Sequence, residues 1–194
     1  VLEVLRQPLE EKCIHLARQQ GAYIFPADFM LVAATNPCPC GMAPGPQCTC
    51  TPGQIRNYQG KLSQPFLDRI DICMETPKVE YRDISTTAEN ESSAAIRERV
   101  EAARRIQKKR YEHCTWQYNS HLKAAAIREF CSLKTREQRL MELAFERMNL
   151  SARGYHRIIK VARTIADMEQ EDKIHVSHIS QALSYRAFDK KYWV

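Results

Sequence analysis

The sequence predicts an α/β segment followed by an all-α segment, on three observations. Residues Phe29-Met30-Leu31-Val32-Ala33-Ala34 form a continuous apolar run without alternation, the pattern of a strand covered on both faces of a parallel sheet. The stretch behind it is crowded with Gly, Pro and Cys between Pro37 and Pro52, which suits a loop and not a helix. From Ala94 onward apolar residues recur at helical spacing, beginning with Ala95, Ile96, Val100, Ala103 and Ile106.

The elements follow in order. Val1, Leu2, Leu5 and Leu9 keep helical spacing opposite Arg6, Glu10 and Glu11, and Pro8 should kink or restart this helix. Cys13 to Pro26 reads as two short strands around Gln19-Gln20-Gly21, with glycine supplying a turn conformation that other residues resist. The buried strand at 29–34 ends on Thr35-Asn36-Pro37, so Asn36 stands at a strand's carboxyl end, where open α/β sheets place ligand chemistry. Gln54 to Leu62 reads as a short basic helix, with Thr51 as N-cap and Pro52 at the first helical position. Ile70-Asp71-Ile72-Cys73-Met74 alternates as a further strand, entered through Pro65-Phe66-Leu67-Asp68-Arg69. Pro77 to Ser93 is polar and reads as a linker, so the two parts are placed at 1–85 and 86–194.

In the second part, the first helix sets its apolar stripe against Arg97, Arg99, Arg104, Arg105, Lys108, Lys109 and Arg110. His121–Leu133 gives another amphipathic helix. Thr135 with Gln138 suggests a capping box for the next, which runs through Leu140, Leu143, Ala144 and Met148. Ser151 caps a longer helix with Tyr155, Ile158, Ile159, Ala162 and Ile165 inward, and Ser177 starts the last.

Composition sets outer bounds. No apolar run approaches the ~18 residues of a membrane span, and no signal peptide is visible, so the expectation is a cytoplasmic protein that makes no use of a membrane. The chain opens on Val1 inside helical text, which leads to the expectation of a piece of a longer protein. The net charge of +6 is carried by the part beyond residue 90. A basic half fits a nucleotide or DNA partner, while a solvated helical surface explains the charge alone equally well or better.

Four of the eight cysteines lie close together as Cys38, Cys40, Cys48 and Cys50. Two short thiolate arms of this kind can surround one tetrahedral Zn²⁺. The loop between them holds Gly41, Pro44, Gly45 and Pro46 and almost nothing apolar, so a metal would be its natural staple. The C-x-C arm is tighter than the usual C-x2-C, and four free thiols or later disulfides remain the alternative. Cys13, Cys73, Cys114 and Cys131 read as core residues.

A strand ending in Ala-Ala-Thr-Asn, followed by Pro-x-Leu-x-Asp-Arg-Ile-Asp text, resembles the sensor-1 and arginine-finger region of AAA+ ATPases. Asn-Pro-Cys-Pro-Cys-Gly narrows the resemblance to the magnesium-chelatase-related proteins of the ComM (YifB) type, linked to DNA branch migration. It extends over nearly the whole chain and implies the back half of an AAA+ parallel-sheet core followed by a helical lid. It further implies that Asn36 orients the attacking water, since a side-chain amide offers both donor and acceptor. Arg69 would be the finger reaching a neighbour's γ-phosphate, and Arg153 the sensor-2 arginine, with Arg157 the weaker candidate. Arg18, beside the hairpin tip, would touch a nucleic-acid backbone. For Arg69 a local ion pair with Asp68 or Asp71 is the competing reading.

The same resemblance implies a head-to-tail ring, commonly a hexamer, working on DNA with ATP and Mg²⁺ in the full-length protein. No Gly-x4-Gly-Lys-Ser/Thr occurs in the sequence: Gly60-Lys61 is followed by Leu62 and preceded by Ile55 where glycine is required. This chain by itself is therefore expected not to hydrolyse ATP. The rival readings are a magnesium-chelatase-type motor subunit that remodels a protein partner, and a non-catalytic zinc-binding interaction module.

Overall fold

In the computed structural model, residues 2–76, 79, 81, 85 and 90–192 are described, the side chains of 187–192 excepted. They fall into two compact units, Val1–Ile70 with Asp189–Val194, and Asp71–Phe188. Part of the polar linker expected at 77–93 lies outside the described residues.

The first unit opens with a 3-10 turn, Leu2–Leu5, that passes into helix α1, Arg6–Glu11. The change of winding two residues before Pro8 is the restart that proline was expected to impose. Lys12 leaves α1 in the left-handed region at φ 59°, its N–H on the Pro8 carbonyl at 3.0 Å. That turn delivers the chain into strand β1, Cys13–Arg18, paired antiparallel with β2, Gly21–Pro26, in the register Cys13↔Pro26 to Arg18↔Gly21. Gly21 sits at φ 148° at the start of β2, so the glycine at the expected tip has a backbone reason. Helix α2, Pro52–Gln59, starts as expected: Thr51 Oγ1 accepts from the Gln54 N–H, and Gln54 Oε1 accepts from the Thr51 N–H, a reciprocal box. It ends at Gly60, short of the expected Leu62. Ser63 caps α3, Gln64–Leu67, whose Phe66 and Leu67 are buried.

Two expected strands do not form. Residues 29–34 are irregular and largely exposed, with Met30 at 86% and Val32 at 80%. Residues 70–74 are irregular too, with Ile72 and Met74 exposed. A parallel strand must hydrogen-bond to a neighbour along its length, and the described residues offer neither stretch one. The sheet among the described residues is the two-stranded antiparallel pair β1–β2, not a parallel core.

The second unit is helical: α4 Ser93–Arg110, a 3-10 turn Asn119–His121, α5 Ala124–Phe130, α6 Thr135–Arg147, α7 Ala152–Met168 and α8 Val176–Tyr192. Helix α7 is central, packing against α4, α5 and the 119–121 turn. Its inward face is the one read from the sequence, with Ile158, Ile159, Ala162 and Ile165 buried among Tyr111, Ile127, Met141, Ile174 and Ile179. Ser151 caps it by accepting from the Gly154 N–H at 3.0 Å. Two details of α6 differ. Its N-cap is Lys134, and Gln138 donates to the Leu133 carbonyl, so the Thr135–Gln138 box is not made. Its inward residues are Met141 and Ala144, leaving Leu143 exposed.

Arg110, expected on the solvated face of α4, turns inward. Asp167, fully shielded from solvent, accepts from both Arg110 guanidinium nitrogens, from Arg163 Nε at 3.1 Å and from Asn119 Nδ2 at 2.8 Å. Asn119 is itself fixed by the Tyr111 hydroxyl at 2.7 Å and by Gln107, which accepts its N–H at 3.0 Å. Arg163 also donates to the Glu171 and Asp172 carbonyls, closing the turn between α7 and α8. Removing the carboxylate would strand two buried guanidinium groups, a loss of about 3–5 kcal/mol. Asp167→Ala should therefore shift the urea midpoint of the helical unit strongly downward, and an unchanged midpoint would show that the carboxylate is dispensable.

Candidate functional site

The sulfurs of Cys38, Cys40, Cys48 and Cys50 all lie within 4.8 Å of one another. Cys38 is fully buried, and the resolved pair distances are 3.4 Å to Cys40, 3.8 Å to Cys48 and 3.6 Å between Cys40 and Cys48. Around a tetrahedral zinc with bonds of about 2.3 Å, sulfur–sulfur edges come to about 3.8 Å. The donor set thus fits that ion in both chemistry and spacing. The fold reason is two tight turns that aim backbone N–H groups at sulfur. After Cys40 the chain turns through Gly41 at φ 80°, where the Gly41 N–H returns to the Cys38 carbonyl and the Ala43 N–H reaches Cys38 Sγ at 3.4 Å. A side chain at position 41 would force a left-handed backbone on an L-residue.

These amides also divide the thiols electrostatically. The Met42 N–H, seconded by that of Thr49, pulls Cys40 down to about 5. Burial resists ionisation of Cys38, but the Ala43 N–H and its fellow donors outweigh it and hold Cys38 below the ordinary thiol range. Cys48 and Cys50 each receive a backbone N–H, from Cys50 and Cys40 respectively. Burial and the neighbouring sulfurs overcome it, raising Cys48 and pushing Cys50 up to about 12. Four crowded sulfurs do not all ionise together unless a cation joins them.

Asn36 lies directly against this loop. A side-chain carbon at Gly41 would sit 3.7 Å from the Asn36 amide. The Asn36 flanks are tied to α2: Gln59 Nε2 donates to the Pro37 carbonyl at 3.1 Å, and Thr35 Oγ1 lies 3.5 Å from the Tyr58 hydroxyl. Asn36 is exposed, although the strand expected to carry it is absent.

Arg69 follows α3 and folds back over α1. Its Nε donates to the Arg6 carbonyl at 3.2 Å, Nη1 to the Pro65 carbonyl at 2.5 Å, and Nη2 to Glu10 Oε2 at 2.5 Å. The Arg69 side chain is only 10% exposed. The ion-pair partner is Glu10, 59 positions away in sequence, rather than the adjacent Asp68 or Asp71 considered from sequence. Nothing in the spacing signals that pairing. Arg18 closes β1 opposite Gly21 and is exposed.

The second unit carries the remaining candidates. Arg153 is the second residue of α7 and exposed. Arg157, one turn on, is mostly buried and pairs with Asp71. A cleft of about 230 Å³ between α5 and α7, lined by Ile127, Arg128, Cys131, Tyr155, His156 and Ile159, contains none of the nominated residues. Burial, then Lys160 and Arg128, lower the His156 pKa there.

The family description "Magnesium chelatase, subunit ChlI" matches residues 1–84, and "Magnesium chelatase, subunit ChlI C-terminal" matches residues 90–186. The chain belongs to the magnesium chelatase ChlI family. Among curated relatives it is 42% identical to the uncharacterized protein YifB of Escherichia coli over 97% of this chain, and 41% identical to the competence protein ComM of Haemophilus influenzae over 96%. An uncharacterized protein of Mycobacterium tuberculosis is 35% identical over 95%. The ComM and YifB resemblance read from Asn-Pro-Cys-Pro-Cys-Gly is thereby shown. The chain spans 37%, 36% and 37% of the lengths of these three relatives.

Protein purified under reducing conditions should carry zinc at the four-cysteine loop, and Cys40→Ser should remove that zinc. Because zinc displaces protons from thiols, uptake should release acid and affinity should fall as pH falls. Metal analysis with a pH-indicator titration checks both, and a zinc-free wild-type chain would overturn the assignment.

Proposed function

We propose that this chain is the C-terminal part of a ring-forming AAA+ ATPase that couples ATP hydrolysis to DNA remodelling in the cytoplasm, in the manner of branch migration during DNA uptake and recombination. Family membership and the relation to a competence protein along almost the whole chain support the class. The observation that carries the reading is Arg69: the arginine of the Pro-Phe-Leu-Asp-Arg motif is held in one orientation by two backbone carbonyls and Glu10.

In the proposed ring, ATP and Mg²⁺ bind to the P-loop and acidic strand of the full-length protein, motifs this chain does not contain. Asn36 orients the attacking water through its amide. Arg69 exchanges the Glu10 carboxylate for the γ-phosphate bound by the adjacent subunit, where its planar fork meets phosphate oxygens two at a time. Arg153, at the start of α7, presents a cation beside the helix N-terminus, and an anion there relieves its conflict with the helix dipole. Arg157, one turn on and paired with Asp71, is the second and weaker candidate to meet the nucleotide. The four-cysteine loop, holding zinc, fixes the backbone next to Asn36. Arg18 at the hairpin tip contributes to contact with a DNA backbone.

The family description itself favours one alternative, a chelatase-type motor that remodels a protein partner. ATP hydrolysis by the full-length protein, with and without branched DNA, separates the two. DNA should stimulate turnover of the wild type. Arg69→Ala should abolish that turnover by about 10³-fold or more, whereas Glu10→Ala should retain most of it. Equal losses in both variants would mean that Arg69 acts only as a local ion-pair partner. Turnover indifferent to DNA would favour the protein-remodelling motor, and a wild type without turnover would leave a zinc-binding interaction module.

A further inference from the structure

A second group of metal-ligating side chains lies at the base of the hairpin. Glu11 is the last residue of α1, Cys13 opens β1, and His15 follows two residues on. Strand alternation places Cys13 and His15 on one face, and the left-handed turn at Lys12 swings the Glu11 carboxylate over the same face. Cys13 Sγ lies 3.2 Å from His15 Nε2, His15 Nε2 lies 3.7 Å from Glu11 Oε2, and the three donor atoms all fall within 4.8 Å of one another. Ligand-to-ligand edges around a tetrahedral zinc, with bonds of about 2.0–2.3 Å, come to about 3.3–3.8 Å.

We propose that Glu11, Cys13 and His15 form a second metal site, open on one side, for a divalent d-block cation of the zinc class. One thiolate, one imidazole and one carboxylate make a borderline-soft set suited to Zn²⁺ or Co²⁺ and poor for Mg²⁺ or Ca²⁺. One thiolate and one carboxylate balance the charge of a divalent ion. Three protein ligands leave a fourth position for water, and the surroundings allow it: the His15 and Glu11 side chains are about half exposed, at 48% and 52%.

The support is in place around the ligands. Gln7 Nε2 donates to Glu11 Oε2 at 2.7 Å and orients the carboxylate. The neighbouring cation, Lys12, is drawn off by Asp28 at 3.0 Å. The Ala27 N–H closes the hairpin base on the Lys12 carbonyl at 2.7 Å, which fixes the register of both strand ligands. A metal held here would clip the end of α1 to the first strand. The sequence reading assigned Cys13 to a core; the alternating Glu-x-Cys-x-His text was the available signal.

The test is a Co²⁺ titration of the reduced, metal-stripped full-length protein, followed by visible absorption. Two classes of site are expected, one with the strong thiolate bands of four sulfurs and a weaker one with a single thiolate. Cys13→Ser and His15→Ala should each remove the weaker class and leave the other intact. Far-UV circular dichroism should not change, because these side chains are not buried. Equal cobalt uptake by wild type and both variants would overturn the proposal. If the four-cysteine loop bound no metal, its class alone would vanish, and the class sensitive to Cys13→Ser would remain.

Discussion

The Asp167 carboxylate is the constraint around which the helical unit is arranged. It sits where water does not reach, so its charge must be met by donors from the protein. Those donors come from separate elements: Arg110 from the end of α4, Asn119 from the 3-10 turn, and Arg163 from its own helix one turn earlier. Sliding α4 by one residue along α7 would swing Arg110 away by about 100° of helix rotation and leave the carboxylate short of donors. The apolar contacts of Ile158, Ile159 and Ala162 supply most of the attraction but tolerate small slips. The polar set does not. Arg163 carries the constraint onward to the Glu171 and Asp172 carbonyls, which sets where α8 begins.

The first unit is held by different means. Among its described residues the buried apolar ones are few, chiefly Phe66 and Leu67, with Cys38 and Pro8. Order there comes from polar closures, two of them local, the Thr51–Gln54 box and the Ser63 cap, and two long-range, Glu3 accepting from the Ser63 hydroxyl and the Glu10–Arg69 pair. The Ser63 hydroxyl, followed by Arg6, lowers the Glu3 pKa. Exposed closures such as that of Glu3 each contribute little, because water screens them. A four-sulfur metal site would therefore be a large fraction of the stability of this region. With zinc bound as proposed, that site would stand in for the apolar core that a loop made of Gly, Pro and Cys lacks.

What could be read from the sequence was what local chemistry decides. Thr51 and Ser151 announce helix starts because an N-cap is satisfied within three residues, and the inward face of α7 follows from its own periodicity. Where a side chain has two local options the pattern fails: Gln138 bonds to Leu133 instead of completing a box with Thr135. Long-range pairings leave no trace in spacing. Arg110 stands in a row of like charges, and only the fold shows that it is the one facing Asp167. The run at 29–34 records how apolar a stretch is. It does not supply the neighbouring strands that would cover it, and without them the residues stand exposed. The four cysteines were legible as a group; their convergence to within 4.8 Å of one another required the turn at Gly41.

The Arg69–Glu10 pair bears most directly on mechanism. An arginine side chain only 10% exposed, with donors on a carboxylate and two carbonyls, is already ordered, so in the proposed ring little conformational entropy would be lost on meeting a phosphate. Its carboxylate partner is about one-third exposed and is regained by water at modest cost. A phosphate group offers more negative charge and more acceptor oxygens than one carboxylate, so in the proposed ring exchange of Glu10 for a neighbour's phosphate would run downhill. In the chain by itself, Glu10 is the carboxylate that holds Arg69. In the proposed ring, a carboxylate that holds Arg69 until a neighbouring subunit presents phosphate would tie hydrolysis to assembly.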